Sequence, residues 1–97
     1  MIIYLSKFGS LLSSRQFGRE AFLGFQPILK EISSEEIIVV DFSKVSTFTP
    51  AWGDEFLSPL QKKYPQRLFL LKTANPSVKA TMEILEETNE IKFSWKN

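Results

Sequence analysis

The sequence contains no cysteine and no histidine among its 97 residues. Without cysteine there is no disulfide framework, no thiolate metal site and no thiol nucleophile. Without histidine the chain lacks the commonest general base and the commonest zinc ligand. Both absences disfavour most enzyme chemistry, so we expect a protein that is not an enzyme and that uses no metal or other cofactor.

A large excess of charge of one sign is also missing, since twelve Lys and Arg residues face eleven Asp and Glu residues for a net charge of +1. Nucleic-acid-binding domains usually carry a strong basic excess, so we expect protein partners and no nucleic acid. The basic residues Lys62, Lys63 and Arg67 are interpreted as solvated surface.

Long hydrophobic runs are absent as well. The apolar start of the chain, MIIYLSKF, is too short to span a membrane and lacks the basic segment that opens a signal peptide. We therefore expect no membrane association and a cytoplasmic location, with which the lack of cysteine is compatible.

The size and composition of the chain, 97 residues with 43% hydrophobic and 24% charged, predict a single domain over residues 1–97. Four short apolar stretches indicate strands, and the three segments between them have helical periodicity. The order β-α-β-α-β-α-β predicts an α/β fold with a mostly parallel sheet of about four strands and helices packed mainly on one face. The predicted strands are residues 1–5, an unbroken β-branched and therefore central strand at 37–40, residues 67–72, and an edge strand at 91–95.

The first helix has a clear predicted start. Ser13 can cap it, Gln16 lies three residues later as in a capping box, and Leu12 can pack on Phe17 as a hydrophobic staple. Phe17 also begins an apolar stripe that should face the sheet. The stripe continues through Ala21, Phe22, Phe25, Ile28 or Leu29, and Ile32.

Prolines and caps organise the remaining helices. Pro27 should kink or split the first helix, and Pro59 should kink the second or give it a 3₁₀ turn. Asn75 and Pro76 provide an N-cap and a first-turn proline for the third helix. The apolar positions Trp52, Phe56, Leu57, Leu60 and Tyr64 should line the second helix, and Val78, Met82 and Leu85 the third.

The loop that follows the central strand is the predicted functional region. In a parallel sheet the loops that leave the carboxyl ends of strands build binding sites, and residues 43–50 form such a loop. Asp41, Ser43, Thr47 and Thr49 are its candidate binding residues. Two interpretations of Asp41 remain open: a functional carboxylate at a strand end, or an acceptor for loop amides that shapes the turn.

Charged and aromatic residues beside this loop complete the candidate partner- or ligand-binding set. Asp54 and Glu55 can bind a cation or a basic side chain, or can simply favour the start of the second helix. Arg15 opposes the dipole of the first helix, so we expect a carboxylate partner, either one of these two or Asp41. Trp52 is either a core residue or an exposed aromatic anchor of a protein interface.

The segment VVDFSKVSTFTPAWGDEF resembles the STAS domain, the fold of bacterial anti-anti-sigma factors. More closely, the chain resembles an uncharacterised STAS-like branch, in which a Ser-Arg at a helix start precedes the strand and an Asp-Glu pair lies in the next helix. The matching residues here are Ser14 and Arg15, residues 41–43, and Asp54 with Glu55. The resemblance extends over most of the chain and includes the order of its elements.

This resemblance implies a partner and a form of regulation. STAS anti-anti-sigma factors bind an ATPase-type anti-sigma kinase and are switched by phosphorylation of a serine at a helix start. In this chain Thr49, Pro50, Ala51 and Trp52 stand where the family has Asp-Ser-Ser-Gly, so the phospho-switch serine is absent. The resemblance then implies constitutive binding, or a homodimer formed through an exposed edge strand such as residues 91–95.

Two functional hypotheses follow. The first is a non-enzymatic regulatory module that binds a protein partner, an ATPase or kinase-like protein by resemblance. The second is a small-ligand or nucleotide-binding module that uses the loop at 43–50 and the following helix N-terminus as an anion site. An enzyme that uses Asp41, Asp54 and Glu55 is disfavoured, because the chain has neither a glycine-rich phosphate loop nor a metal-ligand spacing.

Overall fold

The computed structural model describes residues 1–97 and contains three α-helices packed beside a small parallel sheet. A 3₁₀ turn, Leu5–Phe8, follows the first strand. The strands and helices are, in chain order, β1 (Ile2–Tyr4), β2 (Leu11–Leu12), α1 (Arg15–Leu29), β3 (Ile38–Asp41), β4 (Thr47–Phe48), α2 (Pro50–Lys63), β5 (Leu68–Leu71), α3 (Pro76–Asn89) and β6 (Ser94–Lys96).

The main sheet has four strands in the order β1-β3-β5-β6, and every neighbouring pair is parallel. The predicted α/β class and parallel sheet are therefore confirmed. Strand β3 lies between β1 and β5, as its β-branched sequence indicated, and β1 and β6 form the two edges. Strands β1, β5 and β6 are shorter than the predicted segments, and β3 keeps the predicted length but lies one residue later. Strand β6 begins only at Ser94, so Ile91 and Phe93 precede it.

The three helices cover one face of this sheet. The strand order follows the chain order, so right-handed crossovers place every connecting helix on the same side. Burial alternates accordingly: Ile3, Val40 and Leu70 are buried, whereas Ile2 and Tyr4 are exposed. Helix α2 lies between α1 and α3 and packs on both.

An aromatic cluster fills the space between α1, α2 and the sheet. Trp52 stacks on Phe56 with ring centroids 5.1 Å apart, and Phe48 meets the indole edge-on at 5.8 Å. Phe8, from the 3₁₀ turn, lies 5.8 Å from Trp52 and 5.3 Å from Phe56. Aromatic pairs in these tilted and offset arrangements add to the stability that comes from burial.

The prediction for the start of α1 is wrong by one residue. The N-cap is Ser14, whose hydroxyl accepts a hydrogen bond from the Phe17 amide at 3.2 Å, and not Ser13. Gly18, Phe25 and Leu29 are the buried positions of α1, so Phe25 and Leu29 of the predicted stripe face the core. Phe17 lies about 100° around the helix from Gly18, and its side chain is 66% exposed, so it is neither the predicted staple nor part of the buried stripe.

The structure shows neither a split of α1 at Pro27 nor a 3₁₀ turn of α2 at Pro59, so these two alternatives are wrong, while a kink at either proline stays a prediction. Helix α1 continues through Pro27 to Leu29, and α2 continues through Pro59 to Lys63. Pro27 lies in the last turn of α1, and the carbonyl that it leaves unpaired belongs to Leu23, an exposed residue that water can reach. By contrast, the predicted cap of α3 is confirmed, since the Asn75 side chain accepts from the amides of Ser77 and Val78 and Pro76 follows it.

Glycine at one position sets how closely α1 and α2 approach. A Cβ atom built on Gly18 would lie 2.6 Å from the Trp52 carbonyl oxygen and 3.1 Å from its Cα. Both are backbone atoms of α2, so no side chain can move aside. A Cβ atom built on Gly24, six residues further along α1, would have no other atom within 4 Å.

Alanine substitutions at these two glycines should have opposite effects. We expect Gly18→Ala to lower the free energy of unfolding by about 1–3 kcal/mol, because overpacking at the crossing exceeds the gain in helix propensity. Gly24→Ala should raise it by up to about 1 kcal/mol, since only propensity changes. Urea denaturation followed by circular dichroism measures both, and equal shifts of the same sign would contradict the close helix contact.

Candidate partner-binding surface at the start of the second helix

The first part of the loop after β3 is shaped by Asp41. Its Oδ1 accepts a hydrogen bond from the Ser43 amide at 2.7 Å, and the Val45 amide donates to the Phe42 carbonyl at 3.1 Å. Lys44 completes this turn with φ +67°, a left-handed conformation that is uncommon outside glycine and asparagine. Asp41 therefore acts as the turn-forming acceptor, one of the two interpretations open from sequence.

The second part of the loop contains a short strand that the sequence did not reveal. Strand β4 pairs in parallel with β2, and Leu11 lies opposite Thr47. The amides of Ser46 and Thr47 both donate to the Ser10 carbonyl, at 2.9 and 3.1 Å. Two residues per strand are too few for an apolar pattern, so this pairing is visible only in the folded chain.

Helix α3 holds the loop from the other side. Asn75 donates through Nδ2 to the Val45 carbonyl at 2.8 Å. Ser77 accepts from the Phe48 amide at 2.9 Å, while Ser77 and Thr81 both donate their hydroxyl hydrogens to the Phe48 carbonyl, at 3.1 and 2.6 Å. With its polar backbone groups paired on both sides, the loop has a defined conformation.

Thr49 caps α2 and ties it to the chain before α1. Its hydroxyl oxygen accepts from the Trp52 amide at 3.4 Å and donates its hydrogen to the Ser13 carbonyl at 2.9 Å. Pro50 occupies the first turn, where a missing amide hydrogen costs nothing. The hydroxyl at the start of this helix therefore has a structural role.

Trp52 belongs to the core. Its side chain is 1% exposed and contacts Phe8, Phe48 and Phe56. The alternative in which Trp52 is an exposed anchor for a partner is wrong, because these aromatic neighbours remove the indole from water.

The predicted partner of Arg15 is found on α2. Its Nη1 lies 2.9 Å from Glu55 Oε2 and 3.3 Å from Asp54 Oδ2, while Arg19 Nε lies 3.2 Å from Glu55 Oε1. Side-chain hydrogen bonds raise the pKa of Arg15 above its usual range, and the bond with Asp54 contributes more than the bond with Glu55. The carboxylates thus pair with basic side chains of α1, and Asp41, the third partner considered, is not involved.

Asp54 also reaches α3. Burial raises the pKa of its carboxyl, but side-chain hydrogen bonds with Asn89, Ser58 and Arg15 outweigh that effect and leave the pKa below its ordinary value. Asn89 Nδ2 donates to Asp54 Oδ1 at 3.0 Å. Asp54 therefore joins all three helices at one point on the surface.

Two apolar residues whose exposure the sequence did not indicate lie beside this region. The Leu11 side chain is 68% exposed and that of Phe17 is 66% exposed. They border a cleft of about 340 Å³ whose other apolar walls include Phe8, Ala21 and Trp52. No sequence signal marked Leu11 as exposed, because a strand of two residues is too short for its alternation to be recognised.

No cavity of the structure is lined by residues 43–51. Two cavities have a volume of about 590 Å³ each. One lies between α3 and the ends of β5 and β6, where Lys72, Lys79 and Trp95 contribute to its walls, and the other lies along α3 and the residues that follow it. At the α2 N-terminus Pro50 has no amide hydrogen and Thr49 already accepts from Trp52. The geometry gives little room for an anion site at this helix start.

The other sequence features have local partners. Lys62 donates to Asn89 at 3.3 Å, Lys63 to Gln26 at 3.3 Å, and Arg67 to the Ser33 carbonyl at 2.7 Å. No group of three or more carboxylates is placed to hold a metal ion. None of the three helices has the length and apolar character that crossing a bilayer requires.

A family model described as a STAS-like domain of unknown function (DUF4325) matches residues 25–79. This stretch runs from the middle of α1 through β3, the loop and α2 to the first turn of α3. No curated protein and no solved structure matches the chain.

The cap at Thr49 predicts that two substitutions of this residue lower the stability by different amounts. Thr49→Ala removes both hydrogen bonds of the hydroxyl and should lower the free energy of unfolding by about 0.5–2 kcal/mol, whereas Thr49→Ser keeps the capping oxygen and should lose less. Urea denaturation measures the difference. If the serine variant were as unstable as the alanine variant, the hydroxyl would not be the stabilising group.

The lowered pKa of Asp54 predicts an acid dependence of stability. A carboxyl whose pKa is lower in the folded than in the unfolded protein stabilises the fold above its unfolded pKa, and this stabilisation is lost as pH falls through the folded value. The stability gap between the wild type and Asp54→Asn should therefore be widest near neutral pH and should close below about pH 4.

Urea denaturation at a series of pH values tests this dependence. Glu87→Gln, which removes the charge of an exposed residue of α3, corrects for the change in net charge. A gap between the wild type and Asp54→Asn that stays constant from neutral to acidic pH would show that folding does not favour the ionised form of Asp54.

Proposed function

The chain belongs to the family of STAS-like domains, and from this premise and the surface described above we propose that it is a regulatory module that binds a protein partner. The partner-binding surface consists of Leu11, Phe17 and Thr47 with the neighbouring Arg15. It acts by recognition, so the module is not an enzyme and needs no cofactor.

The exposed apolar pair Leu11 and Phe17 is the observation that carries this proposal. Large apolar side chains exposed at the border of a cleft typically mark interaction sites, and a partner that buries them gains the corresponding hydrophobic free energy. The adjoining loop is held by β2 and α3, so a partner would meet a preformed surface with little entropy to lose. These two residues take the anchoring role considered for Trp52.

The type of partner is proposed from the family. STAS domains of anti-anti-sigma factors bind ATPase-type kinases, and we propose an ATPase or kinase-like protein in the cytoplasm as the partner here. Ala51 cannot accept a phosphate, and the Thr49 hydroxyl is committed to capping. The domain would then bind its partner constitutively. Regulation would act on how much of the partner is available for binding.

A capture experiment tests the surface. The immobilised wild-type protein is compared with the variants Leu11→Ser and Phe17→Ser in native extract, and the captured protein is identified and then titrated in purified form. Truncation of an interface anchor typically costs more than about 1–2 kcal/mol, so affinity should fall about tenfold or more.

Leu23→Ser is the matched control. Leu23 is 60% exposed on the same helix but lies on a different side from Phe17, six residues away and therefore rotated by about 240°. Its variant should bind as the wild type does. Equal affinity of all three variants would refute the proposed surface.

A further inference from the structure

The face of the main sheet opposite the helices is not covered by any element of the chain. Sheets made only of parallel strands occur almost exclusively with both faces covered. Here the helices cover one face, and on the other Ile2 and Tyr4 are 53% and 52% exposed. Val39 and Phe69, on the two middle strands, are only half-buried.

The residues of this open face lie in two rows that cross the strands. The register aligns Ile2 with Val39, Val39 with Phe69, and Phe69 with Ser94. This first row is apolar except at the β6 edge. Such a surface is expected to pack against another apolar layer.

The second row carries one charge of each sign. Tyr4 is aligned with Asp41, and Leu71 with Lys96. Val40 is aligned with Leu70, so the next residues along the two strands, Asp41 and Leu71, complete a row from Tyr4 to Lys96. Asp41 and Lys96 are separated by the Leu71 strand, so their Cα atoms lie about 10 Å apart. Lys96 leans over this face, since its Nζ is 5.5 Å from the Phe69 ring centroid.

We propose that a second copy of the chain covers this face, with the two sheets stacked around a two-fold axis that passes between the two Leu71 side chains. This axis runs parallel to the strands over β5, the strand that carries Leu71, and β3 and β6 are the two neighbours of β5. The rotation therefore places β3 of one copy opposite β6 of the other. Asp41 of each copy then lies opposite Lys96 of the other, and Leu71 and Phe69 each meet their own counterpart. Tyr4 and Ile2 border the contact.

The charges distinguish a second copy from other occupants. An apolar element would bury Asp41 and Lys96 without partners, and a surface of one sign could pair only one of them. A second copy pairs both at once, and the interface is isologous, as in most homodimers. The Asp41 atom that remains free for this pairing is Oδ2, because Oδ1 accepts from the Ser43 amide.

This interface is separate from the partner-binding surface. Leu11 and Phe17 border one cleft, and none of the residues that line it belongs to the open face of the sheet, so a dimer would leave them accessible. The inference therefore does not depend on the proposed function. A four-stranded sheet of short strands gives an interface at the small end of the usual size range, so association should be concentration-dependent.

Sedimentation velocity of the purified chain from about 1 μM to about 1 mM, which covers the range of weak association, tests the proposal. The expected result is a reversible shift from monomer to dimer. The charge-reversal variants Asp41→Lys and Lys96→Asp should each remain monomeric over this range. Lys92→Asp, which makes the same charge change at an exposed position outside the face, should dimerise as the wild type does.

An equimolar mixture of Asp41→Lys and Lys96→Asp provides the decisive measurement. In a mixed dimer each lysine again faces an aspartate, so association should return although neither variant associates alone. Leu71→Glu, which places like charges together on the axis, should abolish dimers without changing Asp41 or the turn that it shapes.

Three outcomes would overturn the proposal. A wild-type chain that stays monomeric at all concentrations excludes the second copy and leaves the face to another partner. Dimers that survive both charge reversals and Leu71→Glu would indicate pairing elsewhere, such as along the β6 edge. Folded single variants that fail to associate when mixed would refute the Asp41–Lys96 pairing.

Discussion

The close contact between Gly18 and the backbone of Trp52 allows α1 to lie directly against α2. Because the helices meet at this distance, the indole of Trp52 is enclosed by Phe8, Phe48 and Phe56 and is removed from water. The same contact fixes the start of α2 relative to α1. The ion pairs between the two helices and the bond from the Thr49 hydroxyl to the chain before α1 depend on this relative position.

Around this contact, hydrogen bonds hold the α2 start in one conformation. Thr49 caps the helix, Asp41 shapes the preceding turn, and Asn75 and Ser77 hold the loop from α3. A hydroxyl that already caps a helix and donates to a carbonyl would have to give up those bonds on modification. The arrangement therefore supports recognition by a preformed surface more readily than a switch operated at the helix start.

The fold leaves apolar surface in two places, for different physical reasons. Leu11 is exposed because a strand must direct alternate side chains away from the core, and Phe17 because it lies about 100° around α1 from Gly18, the residue that contacts α2. The sheet face is exposed because right-handed crossovers place all three helices on the opposite side. A domain with these two separated surfaces has room for a partner on its helical side and for a second copy on the open face of its sheet.

Several features could be predicted from the chain alone: the order of the four main-sheet strands and the three helices, the central position of the β-branched strand, the cap at Asn75, and a carboxylate partner for Arg15. These follow from periodicity, capping chemistry and charge. Tertiary structure decided the burial of Trp52, the exposure of Leu11 and Phe17, and the pairing of β2 with β4. The physical reason is that a local apolar pattern does not specify which side chains neighbouring elements will cover, and this is settled only when distant segments of the chain pack together.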